Sequence, residues 1–451
     1  MGADGHLLLL GSISLALSMN ARFPVRRFGA LSLLSFFAGW LTTELALHHL
    51  LLQAVLTGAL VYKGALFGFS AHGLAGGLLL IASWGQLLRL HQRAQLAGQA
   101  LDAALRGLRG GERANPVTFG LRDVLRPFAL RQSNVCVQRR QYAEHDGRKL
   151  YAHIYSRTDL PKEAPVLVFT HGGGWVVGFK RFQALPLLNQ LAQLGWVCVS
   201  LDYRLAPRAT FPDPLIDIKR GIAWTKEHAA EWNGDRRFVA LSGNSAGAHL
   251  ASLAALTWDK PELQPGFEAA DTRVDACVVF YGVFDLLDSS KGWRHSGMRN
   301  LMRFVVIKQS IKRARDRYEL MSPITHIRKD APPFFVIHGD HDSLVPTLES
   351  RQFSQRLSEV SESPVLYAEI PDAQHAFEIF KSIRGLYTVR AAIEFLQLVL
   401  ARANARPPEA EPRRLEPQQA EPQQADPQQP NRPPSQGATA GAPVTDEISV
   451  T

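Results

Sequence analysis

Hydrophobic and polar positions divide the 451-residue chain into three regimes. From Phe28 to Leu88 apolar residues dominate, and the only charged side chains are Glu44 and Lys63. Residues 65–88 carry no charge at all, over more than the ~20 positions that a bilayer-spanning helix needs. The pattern therefore predicts two membrane spans, one within 28–62 and one within 65–88. The first stretch is longer than a single span and carries Glu44, His48, His49 and Gln53, so it is read as a span with a flanking interfacial piece. A shorter apolar run, Leu7–Met19, has no basic segment ahead of it and makes a poor signal peptide; Met19 is a second candidate start.

The second regime, residues 131–402, alternates strand-like and helix-like segments. Cys136–Ala143 and Lys149–Tyr155 flank Asp146-Gly147, a two-residue hairpin signal. Val166–Thr170 is a continuous apolar run suited to a strand buried on both faces. Further strands are expected at Trp196–Leu201, Arg237–Ser242, Val274–Tyr281, Phe334–Ile337 and Val365–Ile370. Helices are expected at Arg181–Leu194, Asp213–Glu231, Ala246–Leu256 and Phe377–Ala401. Strands alternating with helices imply a doubly wound, mostly parallel α/β sheet. Residues 284–318 break the rhythm and read as an insertion over the C-terminal edge of that sheet. The third regime, 403–451, is rich in Pro, Gln, Glu and Ala, with too little aliphatic content to build a core, and is expected to be disordered.

Charge adds one feature. Lys and Arg number 50 against 41 Asp and Glu, a formal net charge of +9. Most of the excess falls between Arg89 and Lys149, where twelve basic residues face five acidic ones. The domain plan is thus a membrane-anchoring region at 1–90, a basic juxtamembrane or cap segment at 91–130, a catalytic domain at 131–402 and the tail. A basic collar beside an apolar block suits anionic headgroups. Arg22, Arg26 and Arg27 on the other flank place both flanks, and the catalytic domain, on the cytoplasmic side of a multi-pass protein. No aromatic–basic interleaving points to nucleic acid. Three cysteines, Cys136, Cys198 and Cys277, exclude a disulfide scaffold and offer no Cys-x-x-Cys pair for zinc.

The chemistry lies in the second regime. Gly243-Asn-Ser-Ala-Gly247 follows an expected strand and opens an expected helix, the setting in which a Gly-x-Ser-x-Gly turn exposes a nucleophilic hydroxyl at Ser245. His171-Gly-Gly-Gly-Trp175 follows the buried strand Val166–Thr170. Glycines there let backbone N–H groups approach a substrate oxygen, and donors aimed at a developing oxyanion are a large term in acyl transfer. Gly172, Gly173, Gly174 and Ala246 are the candidate oxyanion hole; His171 reads as structural. Neither a P-loop nor a Gly-x-Gly-x-x-Gly is present.

A serine hydroxyl needs a base, and the base an orienting acid. Phe334–Ile337 runs into His338-Gly-Asp-His-Asp342, and Val365–Ile370 runs into Pro371-Asp-Ala-Gln-His375. Asp342 and His375 are the preferred acid and base, with Asp340 the rival acid and His338 and His341 the rival bases.

These motifs, with Asp202-Tyr-Arg-Leu-Ala-Pro207, resemble the hormone-sensitive-lipase-type carboxylesterase/lipase branch of the α/β-hydrolase fold over residues 135–400, and within it bacterial membrane-associated esterases. The resemblance implies a Ser245–His375–Asp342 triad, hydrolysis of a small-molecule or lipid ester through an acyl-enzyme, and no cofactor or metal. The chain departs from the pattern at Asn244, where an acid is usual, and at Ala248, Arg208 and Pro346; these bear on substrate preference. Residues 243–249, Gly-Asn-Ser-Ala-Gly-Ala-His, together with the apolar N-terminal block, also resemble prenylcysteine methylesterases. A non-catalytic ligand binder of this fold is the remaining alternative.

Overall fold

The structure is a computed structural model that describes residues 2–26, 29–113, 119, 121–130, 133–178, 183–293 and 297–405. The tail beyond 405 lies outside the described residues.

Among the described residues eight strands form one sheet: β1 (Val135–His145), β2 (Arg148–Arg157), β3 (Ala164–Thr170), β4 (Val197–Leu201), β5 (Gly234–Asn244), β6 (Ala276–Phe280), β7 (Phe334–Gly339) and β8 (Val365–Ile370). Their order is β1-β2-β4-β3-β5-β6-β7-β8. β1 and β2 pair antiparallel, as do β2 and β4, and every later pairing is parallel. The hairpin turns at Asp146 and Gly147, both with positive φ, which is what a tight two-residue connection requires. β3, β4, β6 and β7 are buried almost without interruption, because helices cover both faces of the sheet.

Two expected helices are shorter or broken. The one expected from Arg181 runs Leu185–Gln193. The one expected over 377–401 splits into a single turn, Phe377–Ile379, and a long helix Ile383–Asn404, whose N-cap Ser382 accepts from the Gly385 N–H. Helix Thr347–Val360 has no counterpart in the sequence pattern, since little beyond Phe353 and Leu357 supplies its buried apolar face. The described part of the insertion at 284–318 forms short helical turns around a cavity of about 390 Å³ lined by residues such as Leu286, Trp293, Met302 and Ile311.

The N-terminal block folds differently from a simple pair of spans. Among the described residues six helices precede the sheet: α1 (Ala3–Arg22), α2 (Ala30–Glu44), α3 (Ala46–Tyr62), α4 (Ala71–Ala94), α5 (Leu96–Leu105) and the short α6 (Leu121–Leu125). The run Ala71–Leu105 is one helix long and apolar enough to cross a membrane. α2 and α3 reach that length only as a pair bent by 87°. α1 and α4 cross at Gly11 and Gly76, where a Cβ on Gly11 would stand 2.6 Å from the Gly76 carbonyl oxygen; small residues permit this close approach.

α5 leaves the block and packs Ala97, Leu101 and Leu105 into the core beneath β8 and the C-terminal helix. Part of the basic segment is therefore docking rather than collar. Arg109 is nearly buried between Asp102 and Glu394, and Arg93 pairs with Asp372. The spacing of charges along the chain cannot separate such internal pairs from headgroup-facing ones.

Candidate active site

Ser245 occupies the corner between β5 and helix Ala246–Leu256, with φ +53° and ψ −120°. A non-glycine residue in such a conformation costs about 1–3 kcal/mol, and the surroundings hold it there. The Ser245 N–H donates to the Phe280 carbonyl oxygen at the end of β6, 2.9 Å away. The flanking glycines are a matter of space: a Cβ on Gly247 would sit 2.1 Å from the Thr170 carbonyl oxygen, and one on Gly243 2.4 Å from Thr170 Oγ1. Neighbours without side chains let β3 and its loop close against the elbow.

That loop carries Gly172, Gly173 and Gly174. The Gly172 N–H donates to Asn244 Oδ1 at 2.7 Å and to Gln183 Oε1 at 2.6 Å. Gly172 thus departs from the expectation that it donates to substrate, because its N–H is consumed in tying the loop to the elbow. Gly173 and Gly174 adopt positive φ. Ala246 opens its helix, where a first-turn N–H has no intrahelical acceptor. The set Gly173, Gly174 and Ala246 is what the geometry leaves for an oxyanion.

Support for the loop is rigid. His171 is buried with its ring stacked 4.3 Å from Tyr203, whose hydroxyl donates to the His171 carbonyl oxygen at 2.8 Å. Arg204 forks onto the buried Asp217, so the Asp202–Pro207 stretch acts as a buttress. His249 joins the loop to the segment that follows the insertion: its Nδ1 accepts from Trp175 Nε1 at 3.2 Å and its Nε2 lies 2.6 Å from the Met321 carbonyl oxygen. Burial lowers this imidazole to about 4, keeping it neutral.

Asp342 and His375 meet where β7 and β8 end, with Asp342 Oδ2 2.6 Å from His375 Nδ1. Asp342 is held on every side. Oδ1 accepts the N–H groups of Leu344 at 2.7 Å and Val345 at 2.8 Å. Oδ2 also accepts from His338 Nε2 at 3.0 Å, while His338 Nδ1 lies 2.6 Å from Ser350 Oγ. Burial by itself would raise this carboxyl, but the charge and hydrogen bond of His375, with those of His338, hold it well below the usual carboxylate range. His338 is thus a second imidazole behind the acid, fully buried. In this resting arrangement no hydrogen bond joins the Ser245 hydroxyl to His375 among the described residues; such contacts often tighten only around substrate.

The rival acid belongs elsewhere. Asp340 clusters with His341 and Asp372, whose ligating atoms lie within 4.8 Å of one another. Arg93 already pairs with Asp372 there, so the cluster reads as a charge network rather than a cation site.

Helix α2 lies against the histidine loop, a contact with no signal in the local sequence. Trp40 Nε1 donates to the Ala376 carbonyl oxygen at 2.9 Å, and Phe36 presents its ring edge-on to His375 at 6.0 Å. Glu44 accepts from Ser382 Oγ at 2.6 Å and lies 3.8 Å from the buried guanidinium of Arg384.

An eight-stranded, mostly parallel sheet with a strained Gly-x-Ser-x-Gly elbow beside a glycine loop defines an α/β-hydrolase esterase. The chain belongs to that family of carboxylic ester hydrolases. It is similar to the probable carboxylic ester hydrolase LipM of Mycobacterium tuberculosis, 40% identical over 88% of this chain and 94% of the relative. Esterase LipC of the same organism is 36% identical over 72% of this chain and 85% of its own. The BD-FAE family matches residues 152–357. Among solved structures, the thermophilic esterase Est2 of Thermogutta terrifontis superposes with a TM-score of 0.50 at 25% identity, covering 60% of this chain and 93% of its own.

Proposed function

We propose that this carboxylic ester hydrolase is a membrane-anchored serine esterase in which Ser245, His375 and Asp342 carry out two-step acyl transfer. The observation that carries the reading is the Asp342–His375 pair at the ends of β7 and β8, alongside the elbow that presents Ser245. Asp342 fixes the Nδ1–H tautomer, which leaves His375 Nε2 to take the Ser245 proton as the hydroxyl attacks the ester carbonyl. The Gly173, Gly174 and Ala246 N–H groups receive the oxyanion. His375 then protonates the departing alkoxide, and water repeats the sequence on the acyl-enzyme.

Ser245→Ala is expected to lower p-nitrophenyl butyrate hydrolysis at least 10³-fold, on the order of a lost nucleophile. Activity near wild type in that variant would sink the triad. A chain-length panel of p-nitrophenyl esters, run alongside, reads acyl preference. A prenylcysteine methyl ester is assayed beside it, because residues 243–249 resemble the enzymes that cleave that class.

The anchor is supported by the outward faces of the N-terminal helices. Leu9 and Ile13 on α1, Leu51, Leu52 and Val55 on α3, and Leu74, Leu78 and Ile81 on α4 are all exposed, an apolar extent that soluble monomers rarely leave uncovered. The bundle of α1, α3 and α4 enters the bilayer, α2 lies between it and the hydrolase domain, and the basic flanks place that domain on the cytoplasmic side. Lipid esters partitioned into the membrane are then the substrate class. In alkaline carbonate extraction of membranes the full chain should stay in the pellet; its release into the soluble fraction counts against insertion.

A further inference from the structure

The residue before the nucleophile is Asn244 where this branch commonly has an acid, and a buried acid stands opposite it. Glu378, three residues after His375, is 1% exposed. Its Oε1 accepts from Asn244 Nδ2 at 3.1 Å, and its carboxylate also accepts from the Tyr281 hydroxyl. Asn244 Nδ2 reaches the Tyr281 oxygen as well, at 3.3 Å. The three side chains form a closed buried triangle.

Each corner holds a different part of the site. Asn244 spends its Oδ1 on the Gly172 N–H, so the glycine loop is tied through it. Tyr281 lays its ring 4.3 Å from the imidazole of His375, and its chain neighbour Phe280 anchors the Ser245 N–H. Glu378 is continuous with the histidine loop. The triangle thus ties the elbow, the glycine loop and the base together at one point. Asp342 and Glu44 are the other acids near it, each already matched, to His375 and His338 and to Ser382 and Arg384.

We propose that Glu378 is a positioning residue for ester hydrolysis: through Asn244 and Tyr281 its carboxyl sets the glycine loop and His375 at a fixed distance from Ser245. The proposal rests on the Ser245–His375–Asp342 reading above. It also gives Asn244 a reason: an Asp there would put two buried carboxyls about 3 Å apart, at an electrostatic cost, and would lose the donor that Glu378 accepts. Burial moves the Glu378 carboxyl upward, partly offset by the bonds from Tyr281 and Asn244.

The test uses the full chain in detergent with p-nitrophenyl butyrate. Misplacing reacting groups by about 1 Å costs on the order of 10²-fold, so the smaller shift expected in Glu378→Ala should lower kcat about 30-fold while KM moves less than about threefold. Glu378→Gln keeps an acceptor oxygen for both donors and should lose only about fivefold. Asn244→Asp should lose about tenfold or more, and combining it with Glu378→Gln, whose amide can donate to the new carboxylate, should recover most of that loss. The proposal is overturned by kcat within about threefold of wild type in Glu378→Ala, or by Asn244→Asp and Glu378→Gln multiplying independently in the double variant. If Glu378→Ala does not fold, the coupling of the other pair decides alone. Ser245→Ala measured in parallel separates the two readings: activity persisting there refutes the triad, whereas an inactive Ser245→Ala beside an undiminished Glu378→Ala refutes only the role of Glu378.

Discussion

Asp342→Asn should lower kcat by about 10⁴-fold with little change in KM, the scale seen when an orienting acid is replaced by its amide. The reason is the four-way grip on the carboxylate. Oδ1 receives the Leu344 and Val345 N–H groups, and Oδ2 receives His375 Nδ1 and His338 Nε2. An asparagine that keeps its oxygen on the two backbone donors must turn its NH₂ toward both imidazoles. His375 can then satisfy that NH₂ only by offering the Nδ1 lone pair, which puts its proton on Nε2, the atom that has to accept from Ser245. The opposite flip strands two buried backbone donors, at about 1–3 kcal/mol each. Steady-state kinetics together with a thermal melt separate the routes: a cold, folded variant reports the wrong tautomer, and a lowered midpoint reports the broken turn. A kcat within tenfold of wild type would remove Asp342 from the mechanism.

Arg384→Leu is expected to destabilise the full chain by about 3–5 kcal/mol, the cost of leaving one member of a buried ion pair without its partner. Arg384 is 1% exposed, and its guanidinium spans the joint between the two halves of the structured chain. Nε donates to the Pro371 carbonyl oxygen at 2.9 Å, at the root of the histidine loop, Nη1 faces Glu44 and the Thr43 carbonyl on α2, and Nη2 faces the Leu90 carbonyl on α4 and, 4.0 Å away, Asp372. With the cation removed, Glu44 retains Ser382 Oγ but no countercharge. Replacing both residues, Glu44→Leu with Arg384→Leu, removes both desolvated charges and should recover most of the loss. Thermal unfolding in detergent micelles measures both variants. Equal destabilisation in the single and the double variant would mean that the Pro371 bond and shape, not charge, hold α2 against the hydrolase domain.

The joint also marks how far the chain could be read from its residues alone. The strands from Val166 to Ile370 were legible because parallel strands covered on both faces are nearly continuous apolar runs, punctuated by turns. Asp342 and His375 stood out because chemistry gathers where strands end, and the sheet does bring those two side chains together. Gly172 looked equivalent to its neighbours; only the contact with Asn244 reveals that its N–H is already spent. His338 looked like a rival base and turns out to sit behind the acid, because a residue four positions before Asp342 on the same strand end points to the same carboxylate. Glu378 and Tyr281 carried no local signal: 97 residues separate them, and nothing in either neighbourhood marks a buried triangle.

The apolar block was the least decidable part. Hydropathy records that residues 28–88 avoid water, but lipid and protein interior satisfy that requirement equally well. Two outward faces on α3 and α4 fit a bilayer, whereas α2 turns Phe36, Trp40 and Glu44 onto the histidine loop. By itself, then, the sequence determined the α/β alternation, the elbow at Ser245 and the strand ends that carry Asp342 and His375, since each follows from local periodicity and turn chemistry. Only the tertiary structure decided which glycine N–H groups stay available, what stands opposite Asn244, and which side of α2 is buried. Those are contacts between segments up to about 340 residues apart, and no local pattern encodes a partner that distant.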